Sequence, residues 1–222
     1  MATSSPSVLA LNVGAPRRRP WASGDVTGID KRPVPEIEVR DPGPKEGGLG
    51  SGVVGDAIGD RRHHGGVTQA VYAYAREDHD WWQERLGRPL RNGMFGENVT
   101  TVGVDCTTAR VGELWRIGAV VLRVEVPRIP CATFAGHLGE RGWVRRFTDA
   151  GRTGAYLSVV VGGTLHTGDA IDVERPGHDV DLLTTFRAFT GDLEAAARVL
   201  DAGVLHETEH AALARTVGRR VR

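Results

Sequence analysis

The chain reads as a β-rich body of about 175 residues carrying a small three-helix tail. Three observations predict this. Short apolar or alternating runs recur at close spacing along residues 6–175, separated by turn residues. The chain holds 30 glycines, which suit the turns between such strands. Past residue 176 the pattern changes to helical periodicity. Many short strands with glycine turns favour a barrel or a two-sheet sandwich.

The elements follow in order. "PSVLALNVG" (6–14) is a predicted strand ended by glycine, and the proline- and glycine-rich stretch after it reads as loop. "EIEVRDPG" (36–43) and "AVYAY" (70–74) alternate like strands. "AREDHDWWQERLG" (75–87) is a predicted helix stopped by Gly87. "LWRIGAVVLRVEV" (114–126) forms a hairpin around Gly118, and residues 134–151 have broken helical patterning. "GAYLSVVVGG" (154–163) and "GDAIDVER" (168–175) are two further strands. "DVDLLTTFRAFTG", "DLEAAARVLDAG" and "HETEHAALARTVGRR" make the tail, with Leu193, Ala196, Ala197 and Leu200 on one helical face. The division expected is a body at 1–176 and a helical appendage at 177–222.

Composition narrows the function classes. With 40% hydrophobic and 25% charged residues the chain is ordinary for a globular protein. A net charge of zero gives no global pull toward nucleic acid or membrane. Cys106 and Cys131 are the two cysteines, too few for a disulfide framework or an iron–sulfur cluster. No signal or membrane span is read, so the expected setting is the cytoplasm, with reduced thiols.

Four stretches are candidates for chemistry. "GSGVVG" (50–55) matches a dinucleotide pattern, but a loop precedes it and Gly59 interrupts any following helix, so a nucleotide fold is rejected. "GDRRHHGGVTQAVYAY" (59–74) sets His63 and His64 beside Gly65 and Gly66. Histidine can ligate, move a proton or hydrogen-bond an anion, and a solvated turn is the plain alternative. "MFGENVTT" (94–101) offers Asn98, both donor and acceptor, or an ordinary turn. In "PRIPC" (127–131) the prolines hold Arg128 and Ile129 nearly extended and give Cys131 a defined direction. A thiolate is a nucleophile and a soft ligand, and Arg128 can supply positive charge. A buried inert cysteine is the competing reading for Cys131, and Cys106 is expected to be structural or partly exposed.

Taken together, "GIDKRPV" (28–34), "GVVGDAIGDRRHHGG" (52–66), "AVYAY", "FGENVTT" (95–101), "VGELWRIG" (111–118), "PRIPC", "GRTGAYLSV" (151–159) and "GDAIDV" (168–173) resemble the MOSC family. That family is named for the C-terminal domain of molybdenum cofactor sulfurase, and the likeness is to its bacterial branch of 6-N-hydroxylaminopurine resistance proteins. The resemblance implies a mainly β fold with α, built on a β-barrel, with the helical tail as an appendage. It implies a molybdenum cofactor (molybdopterin), with Lys31, His64 and Arg128 at the family's motif positions, and the chemistry of their neighbours adds His63, Gly65, Gly66 and Asn98 as candidates for holding it. Cys131 becomes the metal ligand and, with His64, the catalytic pair. The implied activity is reduction of an N-hydroxylated small molecule with electrons from a separate reductase. Neither nucleic acid nor membrane is an expected partner, and the sequence leaves the oligomeric state open. A sulfur carrier using a Cys131 persulfide, or a non-enzymatic cofactor carrier, are the alternatives. The chain departs from the branch in its long "DPGPKEGGLGSG" loop and at Ala155, where a larger aromatic is frequent.

Overall fold

The computed structural model describes residues 5–22 and 25–220. Among the described residues, twelve strands and six α-helices follow one another. The strands are β1 (Ser7–Val13), β2 (Arg17–Arg18), β3 (Val26–Thr27), β4 (Arg32–Val34), β5 (Glu36–Val39), β6 (Val71–Ala75), β7 (Val99–Val102), β8 (Leu114–Ile117), β9 (Val120–Pro127), β10 (Ala155–Val161), β11 (Gly163–His166) and β12 (Asp172–Glu174). The helices are α1 (Arg76–Leu86), α2 (Ala132–Leu138), α3 (Trp143–Ala150), α4 (Leu182–Thr190), α5 (Leu193–Ala202) and α6 (Glu207–Arg220).

Eight strands form one sheet in the order β12-β8-β9-β10-β6-β7-β1-β4. All its pairs are antiparallel except β6 with β7. The sheet curls so that β1, the second strand from one edge, reaches the segment leading into β12 at the other. Ser7 bridges Ala170, and the Val8 amide donates to the Asp169 carbonyl at 2.9 Å. This curl satisfies backbone groups that an open edge would leave unpaired. Of the two architectures left open by strand spacing, the curled sheet is the barrel-like one.

Apolar side chains of β1, β6, β8, β9 and β10 fill the interior, among them Leu11, Val71, Trp115, Leu122 and Leu157. A second core lies outside the sheet. Trp82 from α1, Phe134 from α2, and Trp143 and Phe147 from α3 pack around Phe95, with Tyr72 and Tyr74 from β6. Their ring centroids lie 4.5–6.4 Å apart, mostly tilted or edge-to-face, the arrangement that aromatic quadrupoles favour. This cluster anchors α2, the helix that follows Cys131. The broken pattern at 134–151 thus resolves into two short helices, each ended by a left-handed glycine, Gly139 and Gly151.

The three C-terminal helices match the predicted tail. Asp181 and Asp192 cap α4 and α5 by accepting from amides two or three residues on, and Gly191 and Gly203 end them. Leu182, Ala188, Val199 and Leu213 belong to the same buried cluster as the barrel interior. A side chain such as Leu213 or Val199 contributes roughly 1.5–3 kcal/mol by burial. The stretch at 15–34 that reads as loop contains the short strands β2, β3 and β4. β2 pairs locally with β3, Arg17 opposite Thr27, whereas β4 pairs with the more distant β1, where Asn12 lies opposite Pro33.

Two backbone contacts shape the loops above the barrel. A side chain at Gly28 would place its Cβ 2.0 Å from the Ala57 carbonyl oxygen, and one at Gly59 would sit 1.8 Å from that of Val26. The 56–60 loop therefore lies directly on the segment 26–29. Gly28→Ala is expected to cost on the order of 3 kcal/mol, because the two backbones must separate. Gly177→Ala, with open space at its Cβ, is expected to stay within about 0.5 kcal/mol. Urea denaturation of the two variants checks this.

Candidate functional site

A cleft opens at one end of the barrel. It is built by the 26–31 segment, Ser51, the 56–65 loop, the residues leading into and starting β6 and β7, the start of β10, and the run that follows β9. Cys131 lines it as the residue before α2, in an extended conformation (φ −127°, ψ 171°). Its thiol residue is half-buried and free, whereas Cys106 is fully buried and also free. Burial pushes the Cys106 thiol up, and its sulfur lies 3.7 Å from the Thr101 hydroxyl. Cys106 is therefore structural, and the two cysteines do not pair.

Arg128 is buried at 5% exposure and lines the same cleft. Its Nη1 donates to the Phe95 carbonyl at 2.7 Å. The guanidinium sits 4.3 Å from the Phe134 ring centroid and 5.0 Å from that of Tyr72, within cation–π range. Burial opposes its charge, but Tyr156, Tyr72 and Cys131 around it outweigh that, so Arg128 stays firmly protonated. Its Nε is buried with no hydrogen-bond partner among the described residues. An unsatisfied buried donor on a charged group is costly unless a ligand meets it.

Lys31 also lines the cleft, but its charge is already engaged. Its Nζ donates to the Asp56 carboxylate, and both side chains are nearly inaccessible. Burial lowers the Lys31 pKa, and Asp56 works against that shift. The same carboxylate accepts from the Gly14 amide at 2.8 Å, the Ser51 hydroxyl at 3.0 Å and the Asn98 side chain at 3.1 Å. Asn98 spends its other amide hydrogen on the Asn12 carbonyl, and its oxygen accepts from the Tyr72 amide. Asn98 thus lines the cleft as a strut, with its amide occupied by the protein.

The histidines separate. His64 faces the cleft and its pKa falls to about 4, chiefly from burial and then from Arg128. It is neutral at pH 7, an acceptor or a relay rather than a cation. His63 is exposed, bonded through Nδ1 to Asp60 at 2.9 Å, and is not part of the cleft wall. Gly65 lines the cleft and Gly66 does not. The Gly65 amide donates to the Gln69 side chain at 3.3 Å, and the Gly66 amide to the Gly50 carbonyl at 2.9 Å.

Sequence reasoning gave no role to Asp56, Tyr72 or Tyr156. Tyr72 and Tyr156 are directly opposed in the β6–β10 register, with ring centroids 4.7 Å apart. Their signal was present as aromatic residues in short strands that end at the cleft. The "GSGVVG" run makes a bridge from Val53 to Val39 and then turns, with no helix after it, so no dinucleotide loop forms. Among the described residues no group of three or more His, Cys, Asp or Glu is placed to hold a metal ion.

Below this site lies a second buried pair. His79 Nε2 meets Glu97 Oε1 at 2.9 Å, both fully buried. Glu97 also accepts from the amides of Gly93 and Phe95 and from the Thr100 hydroxyl. Burial would raise its pKa, but His79 and these donors win and lower it. This carboxylate shapes the turn whose Phe95 carbonyl holds Arg128.

Two outcomes follow from these charges. Asp56→Ala is expected to cost about 3–5 kcal/mol, since it strands a buried ammonium. Adding Lys31→Met should return part of that loss in urea denaturation. His64 and His137 both have pKa values near 4 in the folded chain, lowered first by burial. The unfolded chain takes up these protons near pH 6.5, the folded chain only near pH 4. Their stabilisation is present above pH 6.5 and drains away as pH falls toward 4, by up to a few kcal/mol together. The double variant His64→Gln/His137→Gln should show a flatter stability profile over that window.

A MOSC domain family model matches residues 60–172. The chain is 32% identical to the uncharacterized protein YflK of Bacillus subtilis (strain 168) over 172 residues, 77% of this chain and 74% of that one. It is 25% identical over 132 residues to protein YiiM of Escherichia coli (strain K12), covering 58% of this chain and 59% of that one. The crystal structure of YiiM from Geobacillus stearothermophilus superposes with a TM-score of 0.74 at 22% identity, over 96% of this chain and 99% of that one. YiiM from Escherichia coli gives 0.67 at 21% identity, over 86% and 89%. The barrel-like body and its helices are therefore the YiiM fold, and the chain belongs to the MOSC domain family.

Proposed function

We propose that this chain binds a molybdopterin-type molybdenum cofactor and reduces N-hydroxylated bases or related N–O compounds, with electrons from a separate reductase. The observation that carries the reading is Cys131, a free, half-buried thiol sharing a cleft with the buried, partly unsatisfied guanidinium of Arg128. That donor set fits the cofactor. A soft sulfur suits molybdenum, and a planar guanidinium with a spare N–H suits a phosphate or a polar ring edge. When bound, the cofactor supplies a metal centre able to accept an oxygen atom and exchange two electrons.

The chain's own residues do the rest. Cys131 would hold the metal from a direction set by Pro130 and the start of α2. Arg128 would meet the anionic part of the cofactor, because Lys31 is already balanced by Asp56. The overall change, R–NHOH + 2 e⁻ + 2 H⁺ → R–NH₂ + H₂O, needs two protons. His64, neutral and facing the cleft, would relay protons from solvent. The electrons come from outside, since two cysteines cannot hold a cluster and no dinucleotide loop forms.

Metal and pterin analysis of protein expressed with molybdate tests this. Wild type is expected to carry molybdenum and pterin together, and Cys131→Ser to lose at least about tenfold of the metal. Equal metal in both forms, or a sulfur adduct on Cys131 without molybdenum, would replace this reading with a carrier or a sulfur-transfer role.

A further inference from the structure

Two basic tracts border the cleft. Arg17 and Arg18 lie on β2, opposite Thr27 and Val26 of β3, and Val26 and Thr27 line the cleft. Arg61 and Arg62 lie in the loop between Asp60 and His64, two other lining residues. The tracts are joined through backbone, because Gly59 rests against the Val26 carbonyl. Lys45 completes the group: its Nζ is 3.4 Å from the His63 carbonyl, and Arg61 donates to the Gly48 carbonyl at 2.8 Å.

These cations are uncompensated. Among the described residues, Arg17, Arg18, Arg19, Lys45, Arg61 and Arg62 form no ion pair. Asp56 is balanced by Lys31, and Asp60 is hydrogen-bonded to His63 without a cation of its own. Among the described residues, the acids of these loops left without a Lys or Arg partner, Asp25, Asp41, Glu46 and Asp60, are fewer than the six cations. A chain of zero net charge has thus concentrated positive charge on one rim. Such a field steers an oppositely charged partner and sets its orientation more than it adds affinity.

We infer that this rim docks the acidic face of the protein that delivers electrons to the cleft. The inference rests on the reductase reading above. A donor must present its redox group at the cleft mouth, and this is the surface found there. Electron-transfer encounters are small and weak, so charge at a rim is enough to organise them.

The probe is a purified acidic flavodoxin, with wild type compared with Arg17→Glu/Arg18→Glu/Arg62→Glu. None of the three lines the cleft, and circular dichroism checks that the variant is folded. Binding to flavodoxin at about 20 mM salt should weaken about tenfold or more in the variant, and wild-type binding should fade by about 300 mM. Reduction driven by a viologen dye, which needs no docking, should be unchanged. Equal flavodoxin binding by both forms, or no salt-sensitive binding by wild type, overturns the inference. So does tighter, rim-dependent binding to phosphatidylserine vesicles or to a DNA oligonucleotide. If binding behaves as expected but viologen drives no reduction in either form, the rim stands and the reductase reading falls.

Discussion

The carboxylate of Asp56 is the constraint on which the cleft depends. It receives hydrogen bonds from Gly14 at the end of β1, Lys31 before β4, Ser51 in the long loop and Asn98 at the start of β7. Four segments far apart in the chain are thereby fixed to one point. Each bond to a charged group contributes more than a neutral one, and all are shielded from water. The arrangement also decides which cation remains available. Lys31 is used to balance Asp56, and Arg128 is left as the cation with a free donor.

Glu97 plays a matching part on the aromatic side. By gathering the amides of Gly93 and Phe95 it forms a tight turn, and the turn's outward carbonyl then orients Arg128. The aromatic cluster around Phe95 fixes α2 from behind. Arg128 and Cys131 are consequently held by different supports: a hydrogen-bonded turn for the first, a hydrophobic anchor for the second. The proline pair constrains the short run between them, so their separation is set by stiff backbone.

Much of this was legible in the sequence. Alternation and glycine turns located β1, β6, the β8–β9 hairpin, β10 and the three closing helices, because these signals are local. β2, β3 and β4 escaped notice because each is only two or three residues long, too short to show alternation. At the site, Cys131, Arg128 and His64 stood out by type and framing and Lys31 through the family resemblance, and all line the cleft. Their partners did not stand out. Asp56 is a single aspartate among turn residues, and nothing local indicates that Lys31, 25 residues away, will bind it. Tyr72 and Tyr156 meet only once two strands are paired. His63 and His64 are indistinguishable as a dipeptide, and backbone direction alone sends one outward to Asp60 and the other into the cleft.

The last helix is tied by a hydrogen bond to the turn that follows the histidine loop. Thr68, in the 3-10 turn that begins just after Gly66, donates to Glu209 of α6 at 3.0 Å. The chain's end and its histidine loop are thus mechanically linked across 141 positions of sequence. A fusion placed on α6, or a protease that trims it, would loosen the seat of Gly65 and His64 without touching either.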